Sequence, residues 1–404
     1  MKILHTADWH IGHSLYNYDR SDEHQAFFKA LIETVRNEKP DVMVVCGDIY
    51  HTGSPSAAAQ KLYVENMLKI HMEAPEMEVV VIAGNHDSGS RLEVDRELWK
   101  HFNLHVRGHI EKGSEDRSPD LGHYIIPIGK PVKGYVVTIP HCYPQNFPDI
   151  DGDTPVKDRA AAFCNTLLSK TAEMNHDNLP IVMAAHATVS GSDPLNQEII
   201  VGGLDSINPE EVSEIYDYMA LGHIHYPQNI GPRIRYSGSA IPVSFNEAYP
   251  HSVTIIETEC HGDMPKIRTV NLPLIRKVVT IPEKEPVEFE EALKMLEAFP
   301  DDEDAYIRLN VKVRQYGGAD WADRAIRATK GKKCRYCYIL LKSDGDGNAD
   351  GGRTNYSQEE MKKMDPLDIA KIYYKESKGY EMDDILAEMM GRTIDEVLKE
   401  DIRK

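Results

Sequence analysis

Seven side chains able to bind divalent metals stand directly after short apolar runs. Asp8 and His10 follow residues 2–6, and Asp48 follows Gly47 and the run 42–46. Asn85, with His86 and Asp87 behind it, follows 79–83. His186 follows 181–185, and His223 and His225 follow 218–221. Two divalent ions about 3.5–4 Å apart need a bridging anion, terminal ligands and open positions for water and phosphate. Asp48 is the natural bridge, since Gly47 lets the backbone pass close to the ions. Asp8, His10 and one of the His223/His225 pair can complete one ion; Asn85, His186 and the other histidine can complete the second. Imidazole and oxygen together suit Mn, Fe or Zn better than Ca. Asn85 supplies a neutral oxygen, which adds no negative charge beside an incoming phosphate.

Such a set works only if the fold gathers it. The Val/Ile-rich runs read as buried strands. Ligands leaving the ends of neighbouring strands converge on one crevice, where open α/β sheets place their sites. Taken singly, each motif is bland. A lone Asp-x-His is usually a turn with a surface histidine, and His186 alone would be a satisfied histidine at a strand end. His223 and His225 alternate along an extended segment and share a face. The ordered set overrides the single readings. His86 is placed to contact the phosphate or to protonate the leaving oxygen, as an imidazole titrating near neutrality can. Asp87 is expected to orient a neighbouring group as an acceptor. His71, His101, His105, His109, His123, His176, His251 and His261 lie outside any motif and read as surface or structural.

The order of these motifs resembles the calcineurin-like metallophosphoesterases. Residues 5–12, 23–27, 47–55, 220–225 and 236–247 resemble, more narrowly, the bacterial SbcD nucleases, densely to about residue 275 and thinly afterwards. The resemblance implies a four-layer αββα sandwich of α/β class, with a small α+β capping domain and a C-terminal helical tail. It implies a Mn²⁺-dependent DNA nuclease, a 3′–5′ exonuclease on duplex and an endonuclease on single strands and hairpins. It also implies a role in DNA replication, recombination and repair beside the coiled-coil ATPase SbcC. His51, three residues after Asp48, matches a family histidine near the DNA phosphate.

Composition bounds the rest. A chain of 404 residues suggests two or three domains. No apolar stretch reaches the ~18 residues of a membrane span, and no basic leader precedes the first strand, so a cytoplasmic chain starting as it stands is expected. Six cysteines without a close-spaced framework fit reduced thiols. Cys334 and Cys337 form a single CxxC on a strand-like run, where packing is the expected role. The net charge of −19 opposes unaided DNA binding. Bound divalent ions invert the local field, and the acidic residues cluster away from the motifs, so much of the grip on DNA is expected from the partner.

Domain boundaries follow from pattern. Residues 1–275 carry the metal motifs. Ser21 is expected to cap a helix striped by Phe27, Phe28, Leu31, Ile32 and Val35, and Ser56 one with Leu62, Met67 and Leu68. In the resembled family, helices here form a homodimer. Residues 276–342 alternate strand-like (278–281, 306–313, 335–341) and helical (288–299, 319–329) stretches, at the place of the cap. The Gly/Asp-rich stretch 343–356 reads as a flexible linker; it lacks the bidentate Glu of a calcium loop. Residues 357–404 hold three short amphipathic helices, suited to docking on SbcC. Two other readings stand beside the nuclease: a small-molecule phosphodiesterase or nucleotidase with the same ligands, and a non-catalytic scaffold, which would lack ligands that this chain has.

Overall fold

The computed structural model describes residues 1–111, 119–150, 152–193, 206–313, 318 and 320–343. Beyond these it describes Leu367, Lys371, Tyr374, Met382, Leu386, Ala387 and 389–391. The chain separates into two compact units, Met1–Lys342 and Ser343–Lys404.

Two six-stranded sheets carry the first unit. In the first, β1 (Lys2–Thr6), β2 (Val42–Cys46), β3 (Glu78–Ile82) and β4 (Leu104–Arg107) are parallel neighbours. The second contains β5 (Ile125–Ile128), β6 (Gly134–Ile139) and β7 (Ile181–His186). A short pair, β8 (Thr188–Val189) and β9 (Ser206–Ile207), follows. The second sheet continues with β10 (Tyr218–Gly222), parallel to β7, then β12 (Ile234–Tyr236) and its edge β11 (Gln228–Asn229). β13 (Ser252–Glu257) returns antiparallel to β1 and carries β14 (Lys266–Asn271) on its far side.

The apolar runs do not alternate because both faces of each central strand are covered. On β2, Val42, Val44 and Cys46 enter the core between the sheets, with Ile3, Val80, Val182 and Ala220. Met43 and Val45 of the same strand face outward, as a period of two requires. They meet α1 (Ser21–Glu38) and α2 (Ala57–Glu73), which bury Phe27, Phe28, Leu31, Met67 and Ile70. Two single-turn helices, α3 (Gly89–Leu92) and α4 (Arg96–Trp99), follow β3. On the opposite side α5 (Arg159–Met174) buries Phe163, Leu167 and Leu168 against the second sheet. The layers are therefore α, β, β, α.

Ser56 caps α2, its side chain accepting from the Ala59 N–H. The cap expected from Ser21 is a correction. Ser21 is the first residue of α1, and the capping position falls on Arg20 with no side-chain bond. Asp19 accepts from the Ser21 N–H and hydroxyl instead. Arg20 is held elsewhere, buried against Glu23 and the Pro242 carbonyl.

A three-stranded sheet follows the two larger ones. It is ordered β15 (Lys277–Ile281), β16 (Ala305–Val313), β17 (Arg335–Ser343), with β15 and β16 parallel. Helices α6 (Phe289–Glu297) and α7 (Trp321–Ala328) complete it, with Leu293, Leu296, Ile307 and Leu309 in its core. Cys334 packs there too, and it and Cys337 are free thiols. Arg276, just before β15, ties this sheet to α1: it donates to Asp22, to Glu23 at 3.3 Å and to Asp304 at 3.0 Å. The Tyr306 hydroxyl donates to Glu23 at 2.6 Å. In the second unit Leu367, Lys371, Tyr374, Leu386, Ala387 and 389–391 are helical. The linker, apart from its first residue in β17, and the expected third tail helix lie outside the described residues.

Candidate metal centre

All five motifs meet at the C-terminal ends of β1, β2, β3, β7 and β10. The turns that bring them there are sharp. Asp8, His10 and Asp48 take left-handed φ values of 52°, 45° and 50°, and His223 has φ 99°. A residue other than glycine with positive φ is uncommon, and such strain collects at functional sites. The turns are zipped together by backbone. Asp8 N–H donates to Gly47 at 3.0 Å, His10 N–H to Asp48 at 2.9 Å and Ile11 N–H to Ile49 at 2.9 Å. Two glycines permit the approach. A Cβ on Gly47 would lie 2.2 Å from the His186 ring, and one on Gly84 would lie 2.1 Å from the Asp48 carboxylate.

The donors fall into two groups with Asp48 between them. Asp8, His10, Asp48 and His225 place one ligand atom each within 4.8 Å of one another. His10 Nε2 and His225 Nε2 are 3.0 Å apart. In the other group Asn85 Oδ1 is 2.9 Å from His186 Nε2 and 3.0 Å from His223 Nδ1. Asp48 spans the two: Oδ2 is 3.6 Å from His10 Nε2, and Oδ1 is 3.6 Å from His186 Nε2. The question of which histidine joins which group thus has a geometric answer, His225 with Asp8 and His10, and His223 with Asn85 and His186.

The imidazoles are aimed by what their other nitrogens bind. His186 Nδ1 donates to the Cys46 carbonyl at 2.8 Å, which leaves Nε2 with its lone pair toward Asn85. His225 Nδ1 pairs with Glu247 Oε1 at 2.9 Å, and Nε2 faces His10. Glu247 is itself fixed by Ser239 and the Val243 N–H, at 2.7 and 3.0 Å. A carboxylate behind a metal-facing histidine is the usual way to fix its tautomer and raise its basicity.

The electrostatics ask for cations. Burial holds His186 and His223 down to about 3, and pulls His10 well below its ordinary value, with His225 adding to the effect. Neutral imidazole is the ligating form. Burial raises Asp8 to about 8; His225 opposes this and Asp48 reinforces it. Burial also lowers His225, but Glu247 overcomes it and lifts the ring to about 9. Two buried carboxylates beside the neutral imidazoles of His10, His186 and His223 form a set that a pair of divalent ions satisfies, and His225 would give up its proton on joining it. The donor chemistry fits such ions.

His86, His51 and Asp87 take distinct places. The His86 N–H donates to Asp48 Oδ1 at 2.9 Å, and its Nδ1 donates to the His51 carbonyl at 2.9 Å. Among the described residues its Nε2 has no hydrogen-bond partner, and the ring lies 4.9 Å from His10 and stacked 5.5 Å from His51, a cluster whose ligand atoms fall within 4.8 Å of one another. Asp87 accepts from the N–H groups of Gly84, Ile49 and Tyr50 at 2.9, 3.1 and 2.9 Å. It clasps the Asp48 and Asn85 turns together, a positioning part. Burial, with Asp48 second, raises it to about 7 against those three donors.

Sequence reasoning missed Glu247, His13 and His141. Glu247 ends the quoted segment 236–247, but only the fold brings it to His225. The His13 ring packs 4.6 Å from His51, and the His141 ring lies 6.1 Å from His186. His251, read as surface or structural, is structural: it is buried against Ser239 and the Glu247 carbonyl.

Glu247→Gln tests the aim of His225. It keeps the side-chain shape while removing the charge that makes the ring basic. Affinity for one of two Mn²⁺ ions is expected to fall roughly 10–100-fold, as for partners behind metal ligands generally. Titration calorimetry reads it, and two unaltered binding steps would refute the role.

The comparisons agree with this geometry. The family model described as calcineurin-like phosphoesterase matches residues 1–227. The SbcD component of the nuclease SbcCD from Rhodobacter capsulatus is 31% identical over 316 residues, covering 74% of this chain and 77% of the relative. The corresponding SbcCD component from Escherichia coli K12 is 30% identical over 296 residues, 70% of each chain. With strand-end ligands in family order and relatives matched over most of their length, the chain belongs to the calcineurin-like phosphoesterases, in the SbcD nuclease family, and is a metal-dependent phosphodiester hydrolase.

Proposed function

We propose that this chain is a Mn²⁺-dependent DNA nuclease that works with the coiled-coil ATPase SbcC on DNA ends and hairpins. One observation carries the reading. The two oxygens of Asp48 face two separate donor groups, each with imidazoles and a further oxygen ligand. Asp8, His10 and His225 would hold one ion; Asn85, His186 and His223 would hold the other; Asp48 would serve both. When bound, the ions lower the pKa of water and neutralise the phosphate oxygens. The chain's own residues do the rest. Glu247 and the Cys46 carbonyl orient His225 and His186. His86, held through Nδ1 by the His51 carbonyl, presents Nε2 for the leaving oxygen, and His51 stands beside it toward the phosphate. Asp87 fixes the turns that set these distances.

Partners follow the same reading. The groove between α1 and α2, with Ala26, Ile32 and Leu62 among the charges of Lys29, Glu65 and Lys69, suits a second copy of the chain. The C-terminal helices would dock on SbcC. No helix among the described residues is long and apolar enough to cross a membrane, and we place the protein in the cytoplasm.

The test starts from chelated protein. Adding Mn²⁺ is expected to restore cleavage of end-labelled duplex and hairpin DNA, with Mg²⁺ and Ca²⁺ restoring less. Turnover of nucleotide monophosphates or cyclic nucleotides in place of DNA would favour the small-molecule phosphodiesterase.

A further inference from the structure

Two tyrosines stack on each other where the loop after β1 meets β17, and nothing in the hydrolysis uses them. Tyr16 and Asn17 form the tip of a two-residue turn between Leu15 and Tyr18, whose backbones exchange bonds of 3.2 and 3.0 Å. Both tip residues are left-handed, with φ 48° and 68°. Such turns select Asn and Gly, and a bulky residue at the first position is strained. Burial does not account for the strain, because Tyr16 is 45% exposed. Strain of this kind persists at ligand clamps.

The partner comes from β17. Tyr338 stacks on Tyr16 with ring centres 4.6 Å apart and planes 23° apart. Phe245 supports both rings from the edge, at 5.8 and 5.6 Å. Arg308 lies 5.2 Å over Phe245 and bonds the Tyr338 hydroxyl at 3.2 Å. Among the described residues Arg308 makes no ion pair. The stack is tied to the metal centre twice. Phe245 lies two residues before Glu247, which holds His225. His13, on the same loop as Tyr16, packs its ring on His51.

We propose that Tyr16 and Tyr338, with Arg308 at their edge, form a stacking step for an unpaired base of the strand whose phosphodiester lies at the metal centre. The inference rests on the nuclease reading above. An exposed ring in a stacked pair offers a π-face that any base can cover, and the guanidinium of Arg308, bonded to the Tyr338 hydroxyl, puts a positive charge beside the stack for the strand's phosphates. It also addresses a difficulty in the composition. A chain with net charge −19 has little general attraction for a polyanion. Stacking supplies affinity that salt does not screen, and only an unpaired base can use it.

The experiment uses the full chain with Mn²⁺, a single-stranded oligonucleotide and bis(p-nitrophenyl) phosphate. For Tyr16→Ala, the ratio of KM on the oligonucleotide to KM on the small diester is expected to rise roughly 5- to 150-fold, the range for a lost base-stacking aromatic. The rise should persist at high salt. Tyr16→Trp should keep the wild-type ratio, and its fluorescence should quench when the oligonucleotide is added in EDTA. An unchanged ratio in Tyr16→Ala overturns the proposal. So does an equal loss on both substrates, which would make Tyr16 a support of the site. A Tyr16→Trp variant as poor as alanine overturns it as well. Should the wild type hydrolyse the small diester and leave DNA intact, the nuclease reading falls instead.

Discussion

Asp48→Ala is expected to abolish hydrolysis of DNA and of a generic phosphodiester alike. Asp48 places one oxygen 3.6 Å from His10 Nε2 in one donor group and the other 3.6 Å from His186 Nε2 in the second. Without it Asp8, His10 and His225 on one side, and Asn85, His186 and His223 on the other, have no shared anion. Any two ions held there would repel with no carboxylate to offset their charge. The loss should exceed the ~10²-fold at the top of the range for partners behind metal ligands. Metal content of the purified variant is expected to fall as well. Asp48→Asn separates charge from shape: it keeps the oxygen and loses the anion, so it should bind metal better than alanine yet remain far below wild type. Wild-type-like turnover by Asp48→Ala with Mn²⁺ would sink the two-metal assignment. Folding needs a separate check, since the Asp48 carboxylate also accepts from the His86 N–H. Circular dichroism and the melting temperature serve for that.

The donor set was legible in the sequence for a physical reason. A strand buried on both faces shows as a continuous apolar run, and polar residues directly after it must lie at the sheet's end. That rule located Asp8, Asp48, Asn85, His186 and His223, and predicted strands at 42–46 and 181–185 that the structure reproduces within one residue. The small sheet was legible too: β15 and β16 begin one residue before their expected starts, and β17 ends two residues after its expected end. Contacts across long loops were not. Glu247 reaches His225 from 22 positions away, and Arg276 reaches Asp22 from 254 positions away. No periodicity encodes such pairs. Ser21 misled because a serine before an apolar stripe satisfies the capping rule, while in the structure the helix starts at Ser21 itself, with Arg20 turned to Glu23. The strain at Tyr16 was equally hidden: a Tyr-Asn pair does not spell out a turn that ordinarily takes Asn and Gly.

His86→Ala is expected to separate chemistry from metal binding. The proposed ligand set assigns both ions without the His86 side chain, although His86 clusters with His10 and His51, their ligand atoms within 4.8 Å of one another, and its backbone N–H, which holds Asp48, survives the substitution. Both ions should therefore remain. The rate on DNA should fall at least ~10²-fold, the lower range for a lost general acid, with KM changing far less. The leaving group decides between the two roles open to the imidazole. DNA expels an alkoxide that must be protonated as it departs. A p-nitrophenyl diester expels a stable phenolate that needs no proton. If His86 Nε2 supplies the proton, the variant's deficit should shrink sharply on the activated diester. An equal deficit on both substrates would assign His86 to the phosphate oxygens, where charge develops whatever the leaving group. Loss of an ion from the purified variant would instead make the imidazole a ligand. Metal content decides, because His86 also clusters with His10 and His51. Nδ1 is committed to the His51 carbonyl, and the ring lies beside the first donor group, 4.9 Å from the His10 ring. On the proposed reading Nε2 would meet an oxygen leaving the phosphorus, and the seven donors would keep the ions.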